Sequence, residues 1–241
     1  MAWSLSVVMF AYNEAQNVGP CMREALDFLA ANTADYELIL VDDGSSDGTA
    51  EAARLVQAEA PEHVKVVTYS PNRGIGGALK AGFEVADKRW VTLLPADGQV
   101  PPAGIANLMA VVDNDPSIDF VTCHFPHRFK EADNIKRKIL SRGLRVVMWL
   151  ATGVSRKLDG CYLVKRSDIQ GLPMRSDTFF LNFELPIRVI RKGIKDGSAT
   201  MHIRPRMAGQ SKVANGKKIW SVLSDLGKLG LELRAGVVLD K

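Results

Sequence analysis

Cysteine, long apolar runs and targeting signals are scarce in this sequence, and each scarcity excludes a class of protein. The three cysteines, Cys21, Cys123 and Cys161, are an odd number without a close pair. Their spacing argues against a disulfide scaffold and a cysteine zinc site, so we expect reduced, packed thiols and a cytosolic setting. No apolar run approaches the ~20 residues that a membrane span requires. The apolar N-terminal stretch has no basic flank, which predicts a strand rather than a signal peptide.

The overall composition is that of an ordinary globular protein. Of the 241 residues, 46% are hydrophobic and 24% are charged, which is enough apolar sequence for a large core. The formal net charge of +4 is a mild excess. It is compatible with a phosphorylated ligand or an anionic membrane surface.

Short apolar runs alternate with segments of helical spacing through the first hundred residues. Strand followed by helix, repeated at this length, implies right-handed crossovers and an α/β fold with a mostly parallel, doubly wound sheet and flanking helices. Beyond residue 101 the pattern is mixed, and it predicts helices at 105–112 and 139–150 and strands at 120–123 and 161–164. In the first half we predict strands at 5–11, 37–41, 64–68 and 90–94, and helices at 14–29, 46–59 and 76–86.

Polar residues cluster where three of the predicted strands end. Tyr12 and Glu14 follow the first strand, Asp43 follows the second, and Asp97 and Gln99 follow the fourth. In doubly wound sheets, ligands bind beyond the carboxyl ends of the strands, so this coincidence predicts a binding site. Taken singly, the aspartate after the second strand is equally explained as a turn cap. A carboxylate and an amide oxygen after the fourth strand are hard ligands suited to Mg²⁺ or Mn²⁺, or simply turn residues.

Two competing nucleotide motifs fail on inspection. The glycines at 74–77 follow a strand, but the dinucleotide pattern requires glycine where Leu79 stands. The sequence also contains no phosphate-binding P-loop.

Four ordered segments resemble the family-2 glycosyltransferases of the GT-A fold. They are Ala-Tyr-Asn-Glu at 11–14, Val-Asp-Asp-Gly-Ser at 41–45, Asn-Arg-Gly at 72–74 and Ala-Asp-Gly-Gln at 96–99. Two later segments, Asp-Gly-Cys-Tyr at 159–162 and 206–212, make the chain similar to the dolichol-phosphate (polyprenol-phosphate) mannosyltransferase group. The resemblance covers roughly residues 4–213.

The resemblance implies a set of site residues. Asp97 and Gln99 would hold Mg²⁺ or Mn²⁺, and Asp97, Arg206 and Lys212 would be catalytic, the last two by neutralising the leaving diphosphate. One departure matters: the family motif usually begins with a second aspartate, and here Pro95 takes that place. The implied contacts to the nucleotide sugar are Phe10, Tyr12, Glu14, Val41, Asp43, Ala96, Asp97, Arg206 and Lys212.

A basic stretch follows residue 127. In the resembling family this region binds the acceptor phosphate, and Arg128, Arg137 and Ser141 are the positional matches. A solvated helix face is the other interpretation, whereas nucleic-acid binding is disfavoured because few aromatic residues accompany the charges. The basic residues are Arg128, Lys130, Lys136, Arg137, Lys138, Arg142 and Arg145.

The expected function is an inverting transfer of a hexose, mannose from GDP-mannose, onto a polyprenyl or dolichyl phosphate at the cytoplasmic face of a membrane. One alternative is a UDP-sugar enzyme, or one with a saccharide acceptor, for which Asp177 or Glu184 would serve as general base. Another is a non-catalytic nucleotide-binding protein. We expect a GT-A domain over 1–215 and an amphipathic helical tail over 216–241, which either lies on a membrane surface or packs on the core.

Overall fold

The computed structural model describes residues 2–125, 143, 146–156, 158, 160–207 and 216–235, with only the backbone for 216–221. Within these residues the strands are β1 Ser4–Ala11, β2 Asp35–Asp42, β3 Val64–Thr68, β4 Trp90–Pro95, β5 Phe120–His124, β6 Tyr162–Lys165 and β7 Asp196–Thr200. The helices are α1 Ala15–Asn32, α2 Thr49–Glu59, α3 Gly74–Val85, α4 Ile105–Asn114, α5 Arg166–Ile169, α6 Leu181–Arg191 and α7 Gly216–Arg234. A 3₁₀ turn spans Pro102–Gly104, and residues 146–152 are also helical.

The strands form one sheet in the order β3-β2-β1-β4-β6-β5-β7. Strands β1 to β4 are mutually parallel, β6 is antiparallel to both of its neighbours, and β7 is parallel to β5. The predicted α/β fold with a mostly parallel sheet and flanking helices is therefore confirmed. The edge strand β7 was not predicted, because its sequence Asp-Gly-Ser-Ala-Thr has neither apolar alternation nor β-branched enrichment.

Helices cover both faces of the sheet, which explains why the central strands are almost continuously apolar. Along β1, Leu5, Val7 and Met9 point into a core shared with α1, α2 and α4. Val8, between them, points into the opposite core, which is shared with α3 and α6. The period-two alternation of β1 thus divides its side chains between two buried layers.

A third cluster lies between α6, α7 and the helical residues 146–152. Phe180 and Ile187 pack there against Met148, Leu226 and Leu229. Of the two interpretations of the C-terminal helix, packing on the core holds for the apolar face that carries Leu226 and Leu229. The division of the chain at residue 215 stays a prediction. None of the helices among the described residues is long and apolar enough to cross a bilayer.

Pro95 ends β4 at a position that tolerates proline. The N–H of the next residue, Ala96, donates to the Phe10 carbonyl of β1 at 3.1 Å. Alternation along a strand therefore directs the Pro95 nitrogen to the other side, towards β6. That neighbour pairs with β4 only over residues 90–92, so the missing N–H breaks no ladder bond.

Candidate functional site

The loops after β1 and β2 are joined by hydrogen bonds at the carboxyl edge of the sheet. The Asn13 N–H donates to Ser45 Oγ at 2.8 Å, and the Ser46 N–H donates to Asn13 Oδ1 at 2.9 Å. The Glu14 N–H donates to Thr49 Oγ1 at 2.8 Å. Asn13 adopts a φ of 54°, a left-handed conformation that its short amide side chain tolerates. These reciprocal bonds fix Glu14 relative to the aspartates after β2.

Asp43 is buried, and two hydrogen-bond donors hold its carboxylate. Its Oδ1 accepts from the Tyr69 hydroxyl at 2.9 Å and from the Arg73 backbone N–H at 2.8 Å. Burial raises the pKa of the Tyr69 hydroxyl, and the hydrogen bond to Asp43 raises it further, so Tyr69 donates at neutral pH. The Arg73 guanidinium lies 4.4 Å from the centre of the Tyr69 ring. Asp43 is therefore held in a defined orientation by the segment between β3 and α3.

Gly44 explains why this turn cannot carry a side chain. Its φ is +72°, and a Cβ atom would lie 2.9 Å from the Asn72 backbone nitrogen. The Asn72 side-chain amide in turn donates to the Asp43 carbonyl at 2.9 Å. The Asp-Gly pair and the Asn-Arg-Gly segment, noted separately in the sequence, are thus two sides of one contact.

Asp97 lies on the loop after β4 and is anchored by the segment 201–207. Its Oδ1 accepts from the Gln99 N–H at 3.0 Å, and its carbonyl accepts from the Met207 N–H at 3.3 Å. The Gln99 carbonyl accepts from the Arg204 N–H at 2.9 Å. Gly98, with a φ of +73°, leaves room for Met207, since a Cβ atom would lie 2.5 Å from the Met207 sulfur.

Arg206 stands between two carboxylates of the site. Its guanidinium forms an ion pair with Glu14 Oε1, and Nη1 lies 3.7 Å from Asp97 Oδ2. All three side chains are at most 16% exposed, so solvent screens these charges weakly. The other Glu14 oxygen accepts from the Asn17 amide at 2.7 Å. The structure therefore brings together three of the predicted residues, from β1, β4 and the C-terminal part of the chain.

The sequence patterns did not reveal the contacts of Arg204, which orient the segment that carries Arg206. We call the pair of Arg204 with Glu24 the clamp. Arg204 makes two hydrogen bonds to the Glu24 carboxylate, at 3.0 and 2.5 Å, and Nε donates to the Gly98 carbonyl at 2.6 Å. Arg204 thereby links α1 and the Asp97 loop to the segment that leads to Arg206. The only local signal was a second arginine two residues before Arg206, since Glu24 is distant in sequence.

Cys21 lies beside this clamp and is chemically quiet. Its sulfur is 3.8 Å from the Met207 sulfur. Burial raises the pKa of the Cys21 thiol to about 11, and the nearby Glu24 adds to the rise. All three cysteines are buried and form no disulfide, as predicted.

The other predicted nucleotide contacts differ in how far their side chains are exposed. Tyr12 is 42% exposed at the rim, and Phe10 is half-buried at the end of β1. Val41 and Ala96 are buried in the two cores, so any ligand would meet their backbone rather than their side chains. Arg128, Arg137, Ser141 and Lys212 lie outside the described residues, and their roles stay predictions.

Glu184 is committed to structure. It is 1% exposed and accepts from the N–H groups of Arg175 and Ser176 at 3.1 and 2.9 Å, while Arg188 pairs with it at 2.8 Å. A carboxylate so engaged has little capacity to remove a substrate proton. Asp177 differs, because its side chain is 65% exposed and pairs only with the Lys80 amine among the described residues.

A divalent metal fits this site only in combination with a ligand. Among the described residues, no group of three His, Cys, Asp or Glu side chains could hold a metal ion. Asp97 supplies one carboxylate and Gln99 one amide, and Pro95 supplies no side-chain ligand. Mg²⁺ commonly binds through one or two carboxylates plus substrate phosphates, so this donor set suits a diphosphate-bridged ion.

Solved structures share the fold. A mannosyl-3-phosphoglycerate synthase from Rubrobacter xylanophilus aligns with a TM-score of 0.72 and 17% identity, over 99% of this chain and 76% of that one. A glucosyl-3-phosphoglycerate synthase from Mycobacterium tuberculosis in complex with UDP aligns at 0.69 and 19%, over 99% and 82%. The same enzyme with Mn²⁺, UDP and glucosyl-3-phosphoglycerate aligns at 0.62 and 20%, over 98% and 78%. At these identities the likeness establishes the GT-A fold alone.

Curated relatives are closer in sequence but longer. An undecaprenyl-phosphate 4-deoxy-4-formamido-L-arabinose transferase from Yersinia enterocolitica is 33% identical over 159 residues, and one from Photorhabdus laumondii is 35% identical over 161. Each match covers 66% of this chain and 47% of the relative, so the chain spans about half the length of these proteins. The family model described as Glycosyl transferase family 2 matches residues 6–199. This chain therefore belongs to glycosyl transferase family 2.

Proposed function

We propose that this chain transfers a sugar from a nucleoside diphosphate sugar to a polyprenyl phosphate. The observation that carries the proposal is the cluster of Glu14, Asp97 and Arg206 at the carboxyl edge of the parallel strands, beside the joined loop that carries Asp43. Such an edge, with acidic groups for a ribose and a metal and a cation for phosphates, suits a nucleotide sugar. The names of the curated relatives, undecaprenyl-phosphate transferases, support the lipid-phosphate acceptor.

Each group has a role in this proposal. Asp43, held through Oδ1, would accept a ribose hydroxyl at its other oxygen. Asp97 and Gln99 would hold Mg²⁺ or Mn²⁺, which neutralises diphosphate charge when bound. Arg206 would turn from Glu14 and Asp97 to the donor phosphates, where its planar guanidinium can donate two parallel hydrogen bonds. The guanidinium would then stabilise the charge that grows on the leaving diphosphate.

With a phosphate acceptor, the reaction would need no general base, which agrees with the commitment of Glu184 to structural contacts. A phosphate monoester has a second pKa near ~6, so its oxygen is already anionic at neutral pH and needs no proton acceptor. A saccharide hydroxyl would need one. For that case Asp177 is the remaining candidate, and Asp177→Asn would abolish transfer to a hydroxyl while leaving transfer to a phosphate intact.

The donor is proposed as GDP-mannose, with UDP-sugars as the rival. Turnover would be measured as nucleotide release with GDP-mannose, UDP-glucose and other nucleotide sugars, each with and without Mn²⁺ and with undecaprenyl or dolichyl phosphate. We expect release only when donor and polyprenyl phosphate are both present. Failure of every donor to react would contradict the proposal, as would equal rates without the lipid. The expected setting is the cytoplasmic face of a membrane, with the protein bound peripherally.

Asp97→Asn tests the site itself. Losing the carboxylate should lower turnover about 10³-fold, the scale seen when one preorganised electrostatic contact to a transition state is removed. Asp27→Asn, an exposed carboxylate on α1, is the matched control and should leave turnover unchanged. If Asp97→Asn turned over within a few-fold of the original protein, the assignment of Asp97 would be wrong.

A non-catalytic role is the second candidate, and Pro95 favours it because the family's usual second aspartate is absent. Its signature would be nucleotide binding, measured by calorimetry, that depends neither on Mn²⁺ nor on Asp97.

A further inference from the structure

An exposed apolar face lies on the helical residues 146–152, on the side opposite the residues that pack in the third cluster. Val146, Val147, Trp149 and Leu150 are each between 43% and 59% exposed. Their spacing, i, i+1, i+3 and i+4, places all four on one side of a helix. Met148 and Thr152, on the opposite side, are buried in the third cluster and its surroundings. We name these four exposed residues the apolar face.

Single exposed apolar residues are common, but a continuous face of this kind is not. Leu55 on α2 illustrates the common case, being 67% exposed without large apolar neighbours among the exposed residues near it in sequence. The apolar face, in contrast, includes a tryptophan, whose ring with one polar N–H suits a boundary between water and an apolar phase.

The surroundings of the apolar face are cationic. Trp149 and Leu150 line a cavity of about 320 Å³ together with Arg191, Leu233 and Arg234. The Arg234 guanidinium donates to the Leu150 carbonyl at 3.0 Å, and both arginine residues are exposed. Neither forms an ion pair with a carboxylate in the part of the chain that the structure describes. In the sequence, residues 128–145 directly before the face carry seven basic residues and two acidic ones.

We propose that the apolar face docks the protein onto an anionic lipid bilayer. Apolar side chains with a tryptophan, bordered by arginine, are typical of helices that lie in the membrane interface. Positive charge beside the face complements anionic headgroups. A second copy of this chain fits less well, because four side chains on two helical turns offer much less than the roughly 800 Å² per partner of a stable interface.

The helices that pack around the apolar face are linked by hydrogen bonds to the segments beside the candidate site. Asp225 of α7, the helix that packs beside residues 146–152, accepts from the hydroxyls of Ser176 and Thr178 at 2.9 Å each. Between them, the Asp177 carbonyl accepts from the Gly76 N–H at the start of α3 at 3.1 Å. This chain of contacts reaches the segment 72–74 that lines Asp43. The inference rests on the proposed function in one respect: docking would bring the site to a lipid acceptor.

Vesicle binding tests the proposal without any transferase reaction. The purified chain would be sedimented with phosphatidylcholine vesicles, with and without phosphatidylglycerol, containing no polyprenyl phosphate or donor. We expect binding to the anionic vesicles, and a loss of about tenfold or more in the partition coefficient for the double variant Trp149→Ser/Leu150→Ser. Leu55→Ser, at a residue that is more exposed but isolated, should bind like the original protein. Arg191→Gln and Arg234→Gln should each weaken binding about fivefold.

Several results would overturn the proposal. They are no binding of the original protein to anionic vesicles, equal binding to vesicles of phosphatidylcholine alone, or unchanged binding of the double variant. A dimer in solution that the double variant converts to monomer, without vesicle binding, would assign the face to a second copy. If the double variant failed to fold, brominated lipids would serve instead: they should quench fluorescence of the original protein but less so in Trp149→Phe. Transferase failure with intact vesicle binding would refute the proposed function and leave this inference standing.

Discussion

The two ends of the candidate site are held in different ways. At Asp43, one carboxylate oxygen receives a tyrosine hydroxyl and a backbone N–H, both supplied by the neighbouring chain between β3 and α3. At Asp97, the loop is held by backbone bonds to the segment 201–207 and by the charge of Arg206. The first end is a network of uncharged donors around one acid, whereas the second is a balance of opposite charges.

The difference indicates which end must rearrange when a ligand binds. Uncharged donors can stay in place on one oxygen of Asp43 while its other oxygen accepts a hydrogen bond from a ribose. Arg206 cannot pair with Glu14 and Asp97 and at the same time receive a diphosphate with full strength, because its guanidinium has a fixed set of donors. We therefore expect a preformed nucleoside end and a diphosphate end that is assembled by the ligand.

Among the variants that test this contrast, Arg206→Gln should produce the largest effect. Removing the guanidinium takes away the donor to the leaving diphosphate, so kcat should fall about 10²–10³-fold. At the same time, Glu14 and Asp97 lose their cation, so Mn²⁺ should bind more tightly in the absence of nucleotide, as calorimetry would measure.

Two controls keep this prediction specific. Arg23→Gln removes an exposed arginine of α1 that pairs with Glu59 at 2.5 Å, and it should change neither quantity. Unchanged Mn²⁺ affinity in Arg206→Gln would mean that the guanidinium does not compete for Asp97, and the contrast between the two ends would disappear.

Asp43→Asn should have an intermediate effect, confined to the nucleoside end. A hydrogen bond to a charged group contributes about 1.5–3 kcal/mol, so the affinity for the nucleoside diphosphate should fall about 10–100-fold. Tyr69→Phe is the companion variant, because it removes one donor to Asp43 but leaves the carboxylate. It should lower the melting temperature with only a small change in nucleotide affinity; equal losses in the two variants would show that Asp43 acts through the fold alone.

Pro95→Asp should have the smallest effect, and it tests the diphosphate end of the site. A second carboxylate near Asp97 adds negative charge to a divalent site, and Mn²⁺ affinity should rise about tenfold. Pro95→Asn controls for loss of the proline ring without adding charge. Similar Mn²⁺ affinity in both variants would mean that residue 95 does not face the metal.

Local sequence predicted most of the first half of the fold. The strand at Val64–Thr68 matches its predicted bounds, and β1, β2 and β4 differ from theirs by one or two residues at an end. Strands β1 and β4 lie in the middle of the sheet and are covered on both faces, so burial makes them almost wholly apolar and easy to recognise. Strand β7, at an edge like β3, carries glycine and small polar residues instead of the valines of β3, and its pairing with β5 joins residues 76 positions apart.

The same contrast applies to the site residues. Asp43, Asp97 and Arg206 were recognised because they stand in ordered motifs. Tyr69 and the pair of Glu24 with Arg204 were not, because each contributes through a contact that joins distant parts of the chain. Glu184 was considered as a base from its residue type, and only its four bonds within the fold show that it is a structural anchor.

By itself, the sequence determined the family, the parallel α/β architecture and the edge of the sheet where polar residues gather, because periodicity and turn residues are local properties. The tertiary structure decided which charges meet. Glu14 and Arg206 are 192 residues apart and form an ion pair only because the chain after β7 returns across the loop that carries Asp97. Long-range electrostatic contacts of this kind depend on how the layers pack, and no local pattern encodes them.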